Sequence, residues 1–177
     1  AGEIVAWLSL PTLKNLKILD IIAARGVGLT GFVIFWVMFI PLGAIVGLGA
    51  FYFLAKYKNR VGFFQLGKYG VIGVLNTFLN AGIYNFLIFL TNIASGLTVD
   101  LFFAVAFIIT VTNSFFWNRQ WTFEKIGTET VGKDAFQFFF VSTAVAVINI
   151  GILHIIVNVI GAPASIDLII WANIALA

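Results

Sequence analysis

Residues 101–123 read LFFAVAFIITVTNSFFWNRQWTF, an apolar run that ends in asparagine, arginine and tryptophan. Residues 101–117 contain no charged side chain. A helix needs about 20 mostly apolar residues to cross a bilayer, and tryptophan is enriched where such a helix meets water. The stretch therefore predicts a membrane-spanning helix whose end, near Trp117, reaches the membrane surface.

The composition of the whole chain supports the same class. Of its 177 residues, 62% are hydrophobic and 10% are charged, whereas a soluble domain is about 45–50% apolar and about 25% charged. The net charge of +3 is small and shows no clustered basic face, so no nucleic-acid partner is expected. With no cysteine and one histidine, neither a metal site nor a cofactor is expected.

Four further segments are apolar over most of their length. They are residues 26–55, 70–93, 136–160 and 167–177. The last ends too soon for a complete span, so we expect it to be truncated. The predicted fold is an all-α membrane protein, a helical bundle of about five hydrophobic segments.

Within the first 60 residues, the segments 1–25 and 26–60 each leave two structural alternatives open. Residues 1–25 carry Pro11 and interleaved lysines and leucines, which indicate either an amphipathic helix on the membrane surface or a linker helix packed on the spans. Residues 26–60 contain Pro41 and a basic loop. A single kinked span is favoured over a re-entrant hairpin, because each half of a hairpin would be only about 21 Å long.

The distribution of lysine and arginine predicts an orientation. The loops at 56–68 and 118–135 are basic and would lie on the same side, which is therefore predicted to be cytoplasmic. The segment 1–25 is also basic and would then lie outside, against the rule. The protein is predicted to be an integral protein of the cytoplasmic membrane of a prokaryote.

An internal repeat is indicated by two pairs of matching positions. Asn80-Ala81-Gly82-Ile83 aligns with Asn149-Ile150-Gly151-Ile152, and Asp100-Leu101 aligns with Asp167-Leu168. Each unit is a span, a short turn, an aspartate and a second apolar segment. This order predicts a parallel two-helix repeat, as found in some transporters.

Two stretches resemble the GtrA-like family of small membrane proteins. They are the run GVIGVLN at residues 70–76, with Asn80 after it, and the run SFFWNRQWTF at residues 114–123. The resemblance covers residues 64–177 and implies a four-span module at 61–177 whose last span is incomplete. The sequence departs from the family in its extra segment at 26–55 and in lacking a second copy of the Asn-Arg motif.

The resemblance implies a role with polyprenyl-phosphate-linked sugars in cell-surface glycan synthesis. Members of the family are proposed flippases or partners of glycosyltransferases, and the module is similar to the membrane part of dolichol-phosphate mannose synthases. The expected partners are a polyprenyl-phosphate sugar, membrane lipids, and a glycosyltransferase or further copies of the chain. The alternative is a non-transporting anchor or structural subunit that recruits a glycosyltransferase or a larger membrane complex.

Six polar or amphipathic residues are the candidates for binding a lipid phosphate or a sugar. They are Asn76, Asn80, Asn113, Asn118, Arg119 and Trp121. An amide in a span needs a polar partner, which is either another helix or a ligand. Arg119 is either a planar donor to a phosphate or an anchor at the helix end, and Trp121 is either part of the site or an interfacial belt residue.

No catalytic constellation is visible, so no enzyme activity is expected. His154 is interpreted as a proton relay or, more simply, as a packing residue. Asp100 and Asp167 are predicted to begin helices, because a carboxylate is favourable at a helix N-terminus.

Overall fold

The computed structural model describes residues 2–58, 61–125, 127 and 130–176. Within these ranges all regular structure is helical. Four helices are long and apolar enough to cross a membrane: Leu29–Lys58, Gly62–Thr91, Leu97–Thr122 and Val131–Ile160. The predicted all-α, multi-span fold is confirmed, with the fifth apolar segment present as a helix of nine residues.

The helices are numbered in chain order. The bundle consists of α4 (Leu29–Lys58), α5 (Val61–Thr91), α6 (Leu97–Trp117), α7 (Val131–His154) and α8 (Leu168–Leu176). Two of them continue as π-helical turns, α6 into Asn118–Thr122 and α7 into Ile155–Ile160. Three short helices precede the bundle: α1 (Gly2–Leu8), α2 (Leu10–Asn15) and α3 (Ile18–Ala24).

The segment with Pro41 is one continuous helix. Because α4 runs unbroken from Leu29 to Lys58, the re-entrant alternative is wrong. It packs closely on α5, where a Cβ added at Gly67 would clash with Phe51 Cβ. Only a residue without a side chain allows this approach.

The core lies where α5, α6, α7 and α8 meet. Its buried members include Tyr84, Val99, Phe103, Leu153 and Ala172. These residues come from all four helices of the predicted 61–177 module, so the short α8 belongs to the same packed unit. Lipid is expected to cover the apolar side chains that face outward, because lipid and protein interior are about equally apolar.

The N-terminal helices α1–α3 are seated on α4 and α5. Thr12 Oγ1 donates to the Ala81 carbonyl at 3.1 Å, and Asn15 Nδ2 donates to Asn85 Oδ1 at 2.7 Å. At Gly82 an added Cβ would stand 2.5 Å from the Leu8 carbonyl oxygen. This arrangement corresponds to packing on the spans, the second alternative for residues 1–25, while contact of their outer face with lipid headgroups stays a prediction.

The long helices place the described cations of the two basic loops at the same end. The basic end carries Lys56, Lys58, Lys68, Arg119, Lys125 and Lys133; Arg60 lies outside the described residues. The opposite end, called the aspartate end here, carries Asp100 and Asp167 near the starts of α6 and α8. Lys17 pairs with Asp167 at 3.2 Å, so part of the N-terminal positive charge that conflicts with the predicted orientation is neutralised there.

Candidate functional site

The π-helical turn Asn118–Thr122 at the basic end is called the α6 turn here. It is held together by Asn118. Its Nδ2 donates to Ser114 Oγ at 3.1 Å, and its Oδ1 accepts from Thr122 Oγ1 at 3.2 Å. Asn118 and Thr122 are buried. The amide therefore stabilises a π-helical turn, a feature that often occurs at functional sites.

Lys68 closes the end of this turn. Its buried ammonium donates to the Trp121 carbonyl and to Glu124 Oε1, both at 2.9 Å, and lies over the Trp121 ring. The last carbonyls of a helix have no partner within the helix, so Lys68 satisfies one of them. From the sequence Lys68 was only part of a basic loop, because its partners lie more than 50 residues away.

Arg119 binds the loop that follows the turn. Nη1 donates to the Lys125 carbonyl at 2.6 Å, Nη2 donates to the Gly127 carbonyl, and Nε lies 3.6 Å from Asp134 Oδ2. Asp134 also accepts from Lys125 Nζ at 3.0 Å. The guanidinium thus holds the α6–α7 loop in the structure.

A cavity of about 510 Å³ adjoins Arg119. We call it the basic-end cavity. Its charged lining consists of Arg119, Lys125 and Asp134, which sum to one positive charge. Gln137 and Ser142 add neutral hydrogen-bonding groups, so the cavity is suited to a small anion.

A second cavity, of about 550 Å³, lies on the other side of the same turn. We call it the lateral cavity; α1, α4, α5 and α6 line it. Trp121, Trp117 and Asn113 face it at intervals of four residues, as one face of α6. Its lining includes a polar pair, in which Asn113 Nδ2 donates to Asn76 Oδ1 at 2.8 Å.

A third cavity, of about 530 Å³, is lined by α2, α5, α6, α7 and α8. We call it the inner cavity. Asn80 and Asn149, the matching positions of the predicted repeat, both line it. Asn80 Oδ1 is buried without a hydrogen-bond partner among the described residues. The same holds for Asn76 Nδ2 in the wall of the lateral cavity. Such atoms are costly unless a ligand or another group satisfies them.

The six predicted site residues are distributed over the three cavities. Asn118 and Arg119 line the basic-end cavity, while Asn76, Asn113 and Trp121 line the lateral cavity. Asn80 lines the inner cavity. Asn76 and Asn80, four residues apart on α5, thus border different cavities.

Residues 68–177 match the family described as GtrA/DPMS, transmembrane domain. The chain belongs to this family. No curated protein and no solved structure matches it. Membership indicates a membrane protein of glycan or lipid-linked sugar biosynthesis, and membrane domains of the GtrA type are typically non-catalytic.

The aspartate end of the GtrA/DPMS domain holds a pair that sequence reasoning missed. Asp100 lies in the first turn of α6, as predicted, but its Oδ2 is 2.6 Å from His154 Nδ1 and accepts from Asn158 Nδ2 at 3.4 Å. The helix-start pattern gave no sign of a partner 54 residues away. Asp167, in contrast, behaves as predicted, since its Oδ1 accepts from the Ile169 N–H at 2.9 Å.

An amide pair joins α5 to α8 within the GtrA/DPMS domain. Asn85 Nδ2 donates to Asn173 Oδ1 at 2.7 Å, and Asn173 Nδ2 donates back to Asn85 Oδ1 at 2.9 Å. Both residues are buried. Because each side-chain oxygen and nitrogen has a partner, this pair is explained by helix packing alone.

Proposed function

We propose that the protein binds a polyprenyl-phosphate-linked sugar and moves it across the membrane. The observation that carries the proposal is the position of the α6 turn between two unlike cavities. One cavity has a net positive charge and the other is mainly apolar. A polyprenyl phosphate has an anionic group next to a long apolar chain, and the two cavities match these two parts.

In this proposal the phosphate occupies the basic-end cavity. Arg119 supplies a planar donor and Lys125 a second positive charge, whereas Asn118 fixes the turn on which Arg119 stands. The isoprenoid chain lies in the lateral cavity against Trp117 and Trp121. The predicted cytoplasmic position of this end agrees with loading of the lipid from that side.

The amides deeper in the bundle provide a polar path for the sugar. Asn113 and Asn76 lie below the tryptophans in the lateral cavity, and Asn80 lies in the inner cavity. Sugar hydroxyls can satisfy the Asn76 Nδ2 and Asn80 Oδ1 atoms that have no partner among the described residues. This lowers the cost of a polar headgroup inside the membrane.

Transport is tested in liposomes that contain the purified protein and a labelled polyprenyl-phosphate sugar. The fraction of label accessible from outside is followed with time. We expect the wild type to move the lipid, and Asn76→Ala, Asn80→Ala and Arg119→Ala to slow it by about tenfold or more, the effect of losing roughly 1.4 kcal/mol. Thr91→Ala is the matched control, since Thr91 is exposed and its hydroxyl bonds only to nearby backbone, the Leu87 carbonyl and the Ile93 N–H.

If wild-type protein moves no more lipid than empty liposomes do, the proposal of translocation is wrong. The second candidate function, a membrane anchor that recruits a glycosyltransferase, then becomes the better account. It is favoured by one observation, that both Nη atoms of Arg119 are already bonded to carbonyls. Unchanged recruitment of a partner enzyme by Arg119→Ala supports this second candidate.

A further inference from the structure

The Asp100–His154 pair is an ionisable pair in the described part of the bundle, away from the three cavities. Its Oδ2–Nδ1 distance is 2.6 Å, and the side chain of Asp100 is 11% exposed. Ionisable groups within membrane helices are rare and usually functional. Tyr84 belongs to the buried cluster that contains Val99 and Leu153, the chain neighbours of Asp100 and His154.

The predicted repeat supplies a comparison for this pair. His154 stands 69 residues after Asn85, as Asn149 stands 69 residues after Asn80. Asn85 joins the first helix of one unit to the second helix of the other through Asn173, and His154 does the same through Asp100. Both pairs therefore connect the first helix of one unit to the second helix of the other, although Asp100 aligns with Asp167 and not with Asn173. One is a neutral amide pair and the other is ionisable.

Packing alone does not require an ionisable pair at this place. The amide pair joins its two helices with all its side-chain donors and acceptors used. In the Asp100–His154 pair, Asp100 Oδ1 is buried without a partner among the described residues, as is the Tyr84 hydroxyl. The ionisable pair is thus less well satisfied than the amide pair, which is unfavourable unless its charge is used.

We propose that Asp100 and His154 form a proton-binding site at the aspartate end of the bundle. An ionised carboxylate only accepts, so Nδ1–H of His154 donates to Asp100 Oδ2. A proton from the medium then adds to Nε2, which changes the pair from one negative charge to none. The His154 side chain is 42% exposed, so the protein itself does not enclose the ring.

We expect the proton to bind to this pair rather than to the groups around it. Asn158 faces it from the π-helical turn of α7, with Nδ2 3.1 Å from His154 Nδ1, and Tyr84 lies on α5. Of the charged residues on the neighbouring segments, Lys17 and Asp167 pair with each other. Lys14 lies over the Phe89 ring, and Asp20 and Arg25 are exposed on α3 and just after it.

The role of the proton rests on the proposed function. When the pair is deprotonated, its negative charge repels an anionic lipid phosphate at this end, and protonation removes the repulsion. Proton binding therefore couples to the presence of the lipid phosphate at the aspartate end. This makes the proton the coupling ion of the proposed carrier.

Proton binding is tested without any lipid substrate. The purified protein in nanodiscs is titrated between pH 5 and 8, the range in which histidine usually changes charge, and the ring nitrogens of the one histidine are followed by NMR. The variant Asp100→Asn/His154→Asn rebuilds an amide pair like Asn85–Asn173 and is expected to remain folded. Asp167→Asn is the matched control, since Asp167 pairs with Lys17.

We expect the wild type and Asp167→Asn to bind about one proton more than the double variant over this range, with both ring nitrogens changing together. Equal titration curves for all three proteins, with an unchanging histidine spectrum, mean a fixed ion pair and overturn the proposal. If the double variant does not fold, the single variant Asp100→Asn is compared by the same NMR titration. An unaltered histidine titration in that variant also overturns the proposal.

Coupling is tested separately in the transport liposomes. A change of pH at the aspartate end alone is expected to change the wild-type rate by about threefold or more, and to leave the double variant unaffected. A wild-type rate that does not respond to this pH contradicts the coupling. If no lipid moves at all, the proposed function fails, while the nanodisc titration still decides the proton site.

Discussion

Lys68 and Arg119 satisfy backbone carbonyls at the end of α6 and in the loop after it. From the sequence both were cations at a membrane surface, and the spacing of apolar residues could not show which carbonyls they reach. The π-helical turn at Asn118 was equally invisible, because it depends on side-chain bonds to Ser114 and Thr122. At the residue scale, the sequence showed which cations and amides lie near the helix end, but not which groups they bond to.

Replacing Lys68 is expected to destabilise the turn. Lys68→Met keeps the apolar stem but leaves the partly buried Trp121 carbonyl without its donor, a loss of about 1–3 kcal/mol. The melting temperature in detergent, followed by tryptophan fluorescence, should fall by several degrees. Lys56→Met is the control because Lys56 is exposed, and equal melting temperatures for the two variants contradict the role of Lys68.

At the scale of elements, α1–α3 connect to α5 and to the start of α8 through few polar contacts. Thr12 and Asn15 bind α5, and Lys17 reaches Asp167. The sequence left the position of this segment open, because its pattern of lysine and leucine suits a membrane surface and a protein surface equally. The close approach at Gly82 is what selects packing against α5.

A side chain at Gly82 is expected to displace the N-terminal helices. In Gly82→Leu the new atoms meet the Leu8 carbonyl, since even a Cβ would stand 2.5 Å from it. Because the chain has no cysteine, Thr12→Cys provides a unique label whose reaction with a maleimide reports on docking. Labelling should be several-fold faster in Gly82→Leu than in Gly73→Leu, where the added Cβ meets open space; equal rates contradict the close contact.

The link between Lys17 and Asp167 should appear in the titration of the carboxyl. The Lys17 ammonium, helped by the backbone N–H of Ile169, holds the pKa of Asp167 below its usual range. The depressed pKa means that this contact stabilises the fold above about pH 4 and is lost as the pH falls through the folded-state pKa. Lys17→Gln should raise the pKa of Asp167 toward about 3.9 by carbon NMR, and an unchanged titration shows that the pair does not form.

At the scale of the whole molecule, the composition and the lengths of the uncharged segments correctly predicted the membrane bundle and its basic end. Each span is set by solvation along one helix, which a sequence displays directly. The cavities and the Asp100–His154 pair depend on which helices meet, and such long-range pairing leaves no periodic trace in the sequence. The repeat came nearest, because it placed Asn80 and Asn149 in matching positions that meet in one cavity.

The central claim is that a lipid phosphate is held across the α6 turn, with its chain in the lateral cavity. The most direct measurement uses a polyprenyl phosphate with a photoreactive group on the chain, cross-linked to the protein in liposomes and mapped by mass spectrometry. We predict labelling of Trp117, Trp121 and Leu75, reduced by excess unlabelled lipid and several-fold weaker in Arg119→Ala. Labelling spread over the outward faces of α4 and α7, unaffected by competitor or by Arg119→Ala, would contradict the claim.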